Sequence, residues 1–228
     1  MHCIRIVQDG DTGYGNAMNV KRTVFGYGRC NMAGIMIEDQ VSPKRCGHVR
    51  GKRVVSLNDA VNRIRAACDA RDAYTKMYGP GTGPLILART DACTAIYDNG
   101  DEHTAPVGFD EAMKRCELFR EVGADMTFLE APESIEQMKE YCNRISGPKL
   151  ANMLEYGTTP ILSPNELKDI GYTMAAYPLT LLSASIKAMQ SSLDCIMSGQ
   201  STNDLITTFT ETKDIVGFAQ YATEEAKY

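Results

Sequence analysis

The chain has 228 residues, 43% of them hydrophobic and 23% charged, with a formal net charge of −5. That length buries one sizeable core in one domain, and the balance excludes a fibre or a disordered tail. No basic run offers the face a nucleic acid needs, no stretch has the apolar length of a membrane span, and the first residues carry no signal-peptide pattern.

In chain order the pattern is strand, loop, helix, repeated. Cys3–Gln8 reads as a first strand, followed by "DGDTGYGN" and a helix from Asn16 to about Gly28. Ala33–Glu38 is a short apolar strand, and a polar loop runs on to Val55. Ser56, with Asp59 three residues on, opens a long helix. Pro84–Thr90 is a third strand, followed by a loop rich in Asp, Asn and Gly. The helix Phe109–Val122 stops at Gly123, and Asp125–Glu130 is a fourth strand. A helix over Ile135–Ile145 leads to a fifth strand, Lys149–Leu154. Ser163-Pro164-Asn165-Glu166 is a helix start, with Pro in the first turn and Glu three residues after the cap. Tyr172–Tyr177 is a sixth strand, a long helix runs from about Leu179 to Met197, and Thr202–Lys227 is helix-like and amphipathic.

Continuous apolar strands alternating with helices predict a parallel sheet buried on both faces. The rhythm suits a (β/α) barrel or an open doubly wound sheet. The polar residues favour the barrel. Asp9, Asp11, Glu38, Arg89, Glu130, Asn152 and Glu155 all fall at or just past the C-terminal ends of strands. In a barrel those ends converge on one pocket.

Asp9 and Asp11 are two residues apart, so in extended chain their carboxylates face the same way. With Glu38 they offer an all-oxygen site suited to Mg²⁺ or Mn²⁺. The alternative is that one Asp caps the following helix. Cys46 lies among Lys44, Arg45, His48 and Arg50, a setting in which a loop thiol exchanges protons. Its alternatives are a solvated basic loop with an incidental cysteine, or a zinc ligand in C-G-H, which lacks a second ligand pair. Arg89 offers a fork to a carboxylate, or a salt bridge to Glu130. Asn152 and Glu155 position substrate oxygens or cap their loop. His2 and His103 read as solvated. "GYGRCNMAG" and "GPGTG" lack the spacing of nucleotide-binding loops. The eight cysteines are scattered, which favours free thiols in a reducing compartment.

Taken together, "DGDTGYGN", "GIMIEDQ", "PKRCGH", "ARTDA", "FLEAP", "ANMLEYGTTP" and "AAYPLTLLSAS" resemble, in order, the motifs of the isocitrate lyase / phosphoenolpyruvate mutase superfamily. "KRCGH" is similar to the cysteine-bearing loop of its lyase branch, which includes petal-death-protein-like enzymes, methylisocitrate lyases and oxaloacetate hydrolases. The resemblance implies a Mg²⁺-dependent (β/α)8 TIM-type barrel. This chain would supply about six of the βα units plus C-terminal helices, as one incomplete domain over residues 1–228. It implies a Mg²⁺ (or Mn²⁺) site at Asp9, Asp11 and Glu38, reached mostly through water. It implies catalytic roles for Cys46, Lys44, His48, Arg89 and Glu130, with Cys46 the acid/base on a mobile loop. It implies substrate contacts from Tyr14, Gly47, Asn152, Glu155, Thr158 and Pro178. The expected activity is cleavage of a C–C bond in a 2-hydroxy or 2-oxo dicarboxylate, through an enolate. The alternatives are a phosphonomutase and a non-catalytic paralogue. The expected partners are a small di- or tricarboxylic acid and further copies of the chain, as a dimer or tetramer that exchanges the segment from about 179 to 228. Neither nucleic acid nor membrane is expected.

In that family two βα units precede the "DGDTGYGN" strand, where this sequence has eight residues. The chain is therefore expected to be N-terminally shortened, without a further metal-site acid and a Ser-Gly loop. A partial sequence, a short paralogue and completion by a partner remain open. The expected compartment is the cytoplasm, or an organelle should a transit peptide precede the first residue.

Overall fold

The structure is a computed structural model that describes residues 5–48, 51–97 and 107–228. It divides into two units, Met1–Pro178 and Leu179–Tyr228. In the first, a six-stranded sheet consists of β1 (Val7–Asp9), β2 (Gly34–Glu38), β4 (Leu85–Thr90), β6 (Met126–Leu129), β7 (Lys149–Asn152) and β8 (Met174–Ala176). Two further strands, β3 (Arg53–Val54) and β5 (Ile96–Tyr97), pair apart from it. The helices are α1 (Ala17–Arg29), α2 (Leu57–Tyr78), α3 (Phe109–Glu121), α4 (Ile135–Arg144) and α5 (Pro164–Ile170).

All pairings in the six-stranded sheet are parallel, and each strand's neighbour in space is its neighbour in chain order. A doubly wound sheet reverses its strand order at one point. No reversal occurs here, and the curled sheet is a half-barrel.

Side-chain parity fixes what each face does. Ile35, Ile37, Ile86 and Ala88 point outward and pack with Val20 and Val24 of α1, Ile64 and Ala67 of α2 and Phe119 of α3. On the inner face Leu87, Met126, Phe128 and Leu150 form a small apolar layer, joined by Met36 and Ala176. A strand returns to the same face every second residue. Met36 is therefore followed by Glu38, Leu87 by Arg89, Phe128 by Glu130 and Leu150 by Asn152. The inner face ends in polar side chains at one rim.

Local signals fall where the sequence puts them. Ser56 Oγ accepts from the Asp59 amide, and Ser163 with Glu166 forms a full capping box at α5. Three expectations change. The first strand is Val7–Asp9 rather than Cys3–Gln8, because pairing begins at Val7↔Gly34; Cys3 lies outside the described residues. The loops before Val55 and after Thr90 each contribute a two-residue strand, β3 and β5, which neither composition suggested. The segment 202–227 is not one helix. It breaks into a 3-10 turn (Asn203–Leu205), α7 (Phe209–Ile215) and α8 (Phe218–Glu225), with a capping box at Thr208 and Gly217 at φ +84°.

The second unit also contains α6 (Thr180–Met197). None of its three α-helices has a buried residue, and Leu181, Leu193, Met197 and Phe209 are exposed. The seven described cysteines are free thiols. Among the described residues no helix is long and apolar enough to cross a membrane.

Candidate active site

The stretch after β1 is a tight turn. Asp9 Oδ1 accepts from the Asp11 amide at 2.9 Å, and Asp11, Gly13 and Tyr14 all have positive φ. A Cβ on Gly13 would fall 2.4 Å from Val20, so the turn packs on α1 only with glycine there. Asn16 caps α1 by accepting from the Met18 and Asn19 amides. Neither aspartate is used for capping, and both stay at the rim of the sheet.

The loop after β2 brings Lys44 to them. Lys44 Nζ lies 2.6 Å from Asp11, 3.2 Å from Asp9 and 3.8 Å from Glu38. Burial works against the Lys44 charge; Asp11, Glu38 and Asp9 outweigh it and hold the ammonium above its ordinary range. Glu38 is 1% exposed. Burial pushes its carboxyl up to about 7, with Arg89 pulling the other way. Neither Glu38 carboxylate oxygen has a hydrogen-bond partner. Among the described residues no three acid, His or Cys side chains are set to ligate a metal directly. The three carboxylates converge instead on one ammonium, a stand-in for a cation, and both Glu38 oxygens are left without a hydrogen bond. This donor set fits a hard divalent ion held through water.

Arg89 lies beneath the same loop. Its guanidinium makes two hydrogen bonds to Asp91, 2.8 Å and 3.0 Å, and stands 3.3 Å from Glu38 and 3.5 Å from Glu130. It also lies over the Phe128 ring, 5.1 Å from the centroid. The bridge to Glu130 exists, yet the tighter partner is Asp91. Burial would raise the Asp91 carboxyl, but Arg89 and then Lys52 hold it below its ordinary range.

Gly47 packs against these groups. A Cβ there would be 2.6 Å from both Arg89 Nη2 and Glu130 Cγ. His48 Nε2 is 2.8 Å from Glu130 Oε1, and the Thr158 amide donates to Nδ1 at 3.1 Å. A ring that accepts at Nδ1 carries its proton on Nε2, facing Glu130. Both nitrogens are engaged, so Cys46 and His48 form no zinc pair. Asn152 Nδ2 donates to Glu130 at 3.3 Å. Cys46 itself is exposed, between Lys44 on the acids and Gly47 on Arg89.

The remaining sites are less central. Glu155 is half-buried and Thr158 exposed, on the loop after β7. Tyr14 is exposed, and its hydroxyl lies 3.3 Å from that of Tyr27; this contact, then burial, raises its ionisation range. Pro178 follows β8 and is exposed. His2 and His103 lie outside the described residues. Sequence reasoning missed Asp91, Lys52 and Asp39. Asp91 had a signal, since it stands two residues after Arg89; Lys52 and Asp39 are joined to the site only by pairings across the fold.

Five buried side-chain oxygens among the described residues lack a hydrogen-bond partner: both of Glu38, and Glu130 Oε2, Asn152 Oδ1 and Thr159 Oγ1. Four of them stand at or next to the C-terminal ends of β2, β6 and β7, and Thr159 lies on the loop after β7. Buried polar atoms are normally satisfied, so the rim is built for a polar ligand.

Comparison with known proteins gives the family. The family described as phosphoenolpyruvate phosphomutase matches residues 2–197. The 2-methylisocitrate lyase of Aeropyrum pernix is 39% identical, over 98% of this chain and 67% of that protein. A crystal structure of 2,3-dimethylmalate lyase, described as a PEP mutase/isocitrate lyase superfamily member, superposes with a TM-score of 0.80 at 32% identity, covering 98% of this chain and 69% of that one. Oxaloacetate acetylhydrolase bound to 3,3-difluorooxalacetate gives 0.79 at 31%, covering 98% and 70%. The chain thus spans about two thirds of the length of these relatives. With a parallel half-barrel, a polar rim at its strand ends and these likenesses, the chain belongs to the PEP mutase/isocitrate lyase superfamily of lyases and mutases.

Proposed function

We propose that the rim binds a 2-hydroxy or 2-oxo dicarboxylate beside a divalent cation, Mg²⁺ or Mn²⁺, and cleaves a C–C bond next to a carboxylate. The observation that carries the reading is the Lys44–His48 segment. Lys44 sits on the three acids, Gly47 on Arg89 and Glu130, and His48 on Glu130 and Thr158. Cys46 is thereby held at the mouth of the rim. Relatives named for methylisocitrate, dimethylmalate and oxaloacetate support the substrate class.

Asp9, Asp11 and Glu38 would hold the cation, which when bound supplies positive charge to substrate oxygens. Arg89, kept in place by Asp91, offers a fork to a substrate carboxylate and to the negative charge that builds on it. On cleavage the bond's electron pair stays on the carbon beside that carboxylate. The other fragment becomes a carbonyl as its hydroxyl gives a proton to a rim carboxylate; a 2-oxo acid first adds one water to its keto carbon, and the hydrate loses a hydroxyl proton in the same way to leave a carboxyl. The Cys46 thiol then protonates the carbon. Asn152, Glu155 and Thr158 lie where a second carboxylate would bind. Lys44 and His48 steer the loop, and its closure shuts out bulk water once the reactants are bound.

The test is turnover of oxaloacetate, 2-methylisocitrate and 2,3-dimethylmalate with Mg²⁺. Expected are turnover lost on adding EDTA, and a Cys46→Ser variant that keeps oxalate binding but loses at least about 1,000-fold in kcat. Full activity of Cys46→Ser would refute the thiol's role. The family's own description favours a second reading, a phosphonomutase. Consumption of phosphonopyruvate, with none of the three acids turned over, would establish that one. The exposed apolar side chains of α6 support assembly into a dimer or tetramer through that helix, and light scattering of a single monomeric species would refute it.

A further inference from the structure

The loop that carries Cys46 leaves and re-enters the fold through a narrow neck. Gln40 bridges Val54, and the Val41 amide donates to the Arg53 carbonyl. Two side chains reach inside it. Gln40 clasps the backbone of Arg45, donating to its carbonyl and accepting from its amide, each at 2.9 Å. Lys52 donates to the carbonyl of Gly47.

Lys52 is unusual in its burial, with a side chain 0% exposed. A buried ammonium is retained only where it is paired. Its other partner is Asp91, at 3.2 Å, the carboxylate that also holds Arg89 at two points. The Lys52 backbone is tied down as well, since its carbonyl accepts from the Ile96 amide at the β3–β5 pair. One carboxylate therefore joins two cations. Arg89 faces the rim, and Lys52 faces the loop at Gly47, where the chain touches Arg89 and Glu130.

We infer that Lys52 is a positioning residue: through Asp91 and the Gly47 carbonyl it locks the Cys46–His48 segment down onto Arg89. Its importance for turnover rests on the reading of Cys46 as the acid/base; its effect on the loop does not. An apolar side chain would fill the same space without holding the carbonyl. The segment would then lift from the Gly47 end, and His48 would leave Glu130 and Thr158.

The Thr158 amide reports this. It is bonded to His48 Nδ1, lies on the loop after β7 and belongs to an exposed residue. Its protection from hydrogen exchange should therefore depend on the docked loop. In Lys52→Met its exchange should quicken at least tenfold, while the amides of α3 keep their rates. Lys52→Arg, which keeps charge and donors, should return it to within threefold of the unaltered chain. An unchanged Thr158 rate in a folded Lys52→Met chain would overturn the inference. If the α3 amides quicken as well, the fold is lost and Asp91→Asn decides. That isosteric change removes the charge anchoring Lys52 and should quicken Thr158 at least threefold with α3 unaffected; no change there would equally overturn the inference. With an acid that is turned over, kcat should fall at least tenfold in Lys52→Met and recover largely in Lys52→Arg; a kcat unaffected by Lys52→Met would remove the catalytic half of the inference. If no acid is turned over by the unaltered chain, the lyase reading fails, and exchange at Thr158 still decides on Lys52.

Discussion

Gly47→Ala is the sharpest test of the closed loop. The added methyl would sit 2.6 Å from Arg89 Nη2 and 2.6 Å from Glu130 Cγ, about 1 Å inside ordinary contact. Neither neighbour can yield cheaply. Arg89 is held by two hydrogen bonds to Asp91 and by Phe128 beneath it. Glu130 is 1% exposed and engaged by His48 and Asn152. The loop therefore rises, giving up the Lys52 bond to Gly47 and the His48 contacts with Glu130 and Thr158. Such bonds contribute about 1–3 kcal/mol each, less what water restores, so the net loss is about 2–4 kcal/mol. That corresponds to a fall in kcat/KM of roughly 30- to 1,000-fold. Gly47 does not have positive φ, so backbone strain adds nothing. Steady-state kinetics on an acid that the unaltered chain cleaves would measure the fall, and a circular-dichroism melt would confirm the fold. A kcat/KM within threefold of the unaltered value would refute the packing argument.

Arg115 is fully buried in α3 and donates to Asp39 at 2.8 Å and to the Val55 carbonyl. Asp39 also accepts from the Thr90 hydroxyl and the Asp91 amide, so the pair ties α3 to the floor of the site. Arg115→Met should destabilise the chain by about 3–5 kcal/mol, because it leaves a buried carboxylate without its cation; a urea titration showing under about 1 kcal/mol would contradict this. Lys44→Met removes an ammonium from among three carboxylates. Mn²⁺ affinity followed by electron paramagnetic resonance should rise about tenfold, near 1.4 kcal/mol; unchanged or weaker binding would place the cation elsewhere. For Cys46→Ser, calorimetry should find oxalate affinity within about threefold of the unaltered chain while turnover is lost.

Local chemistry made much of this molecule legible beforehand. Apolar runs marked the strands, and Ser56 and Ser163 announced helix starts through short side chains that serve amides three residues away. Such signals act over one turn and survive in any fold. The strand-end positions of Glu38, Arg89, Glu130 and Asn152 were also readable, because period-two alternation needs only the strand itself. The two-residue strands β3 and β5 were not, since neither has a pattern of its own; each exists through the other, over forty residues away. The C-terminal segment misled for a related reason: its amphipathic spacing continues across breaks set by Thr208 and Gly217.

The sequence by itself determined which chemical groups this protein has and at which end of the strands they stand. Tertiary structure decided their company: Lys44 among three acids, Asp91 shared by Arg89 and Lys52, Asp39 held by Arg115. Those pairings join loops and helices many residues apart. They depend on strand register and on burial, which makes an unpaired charge costly and so selects its partner. Neither register nor burial is a property of any short stretch of chain.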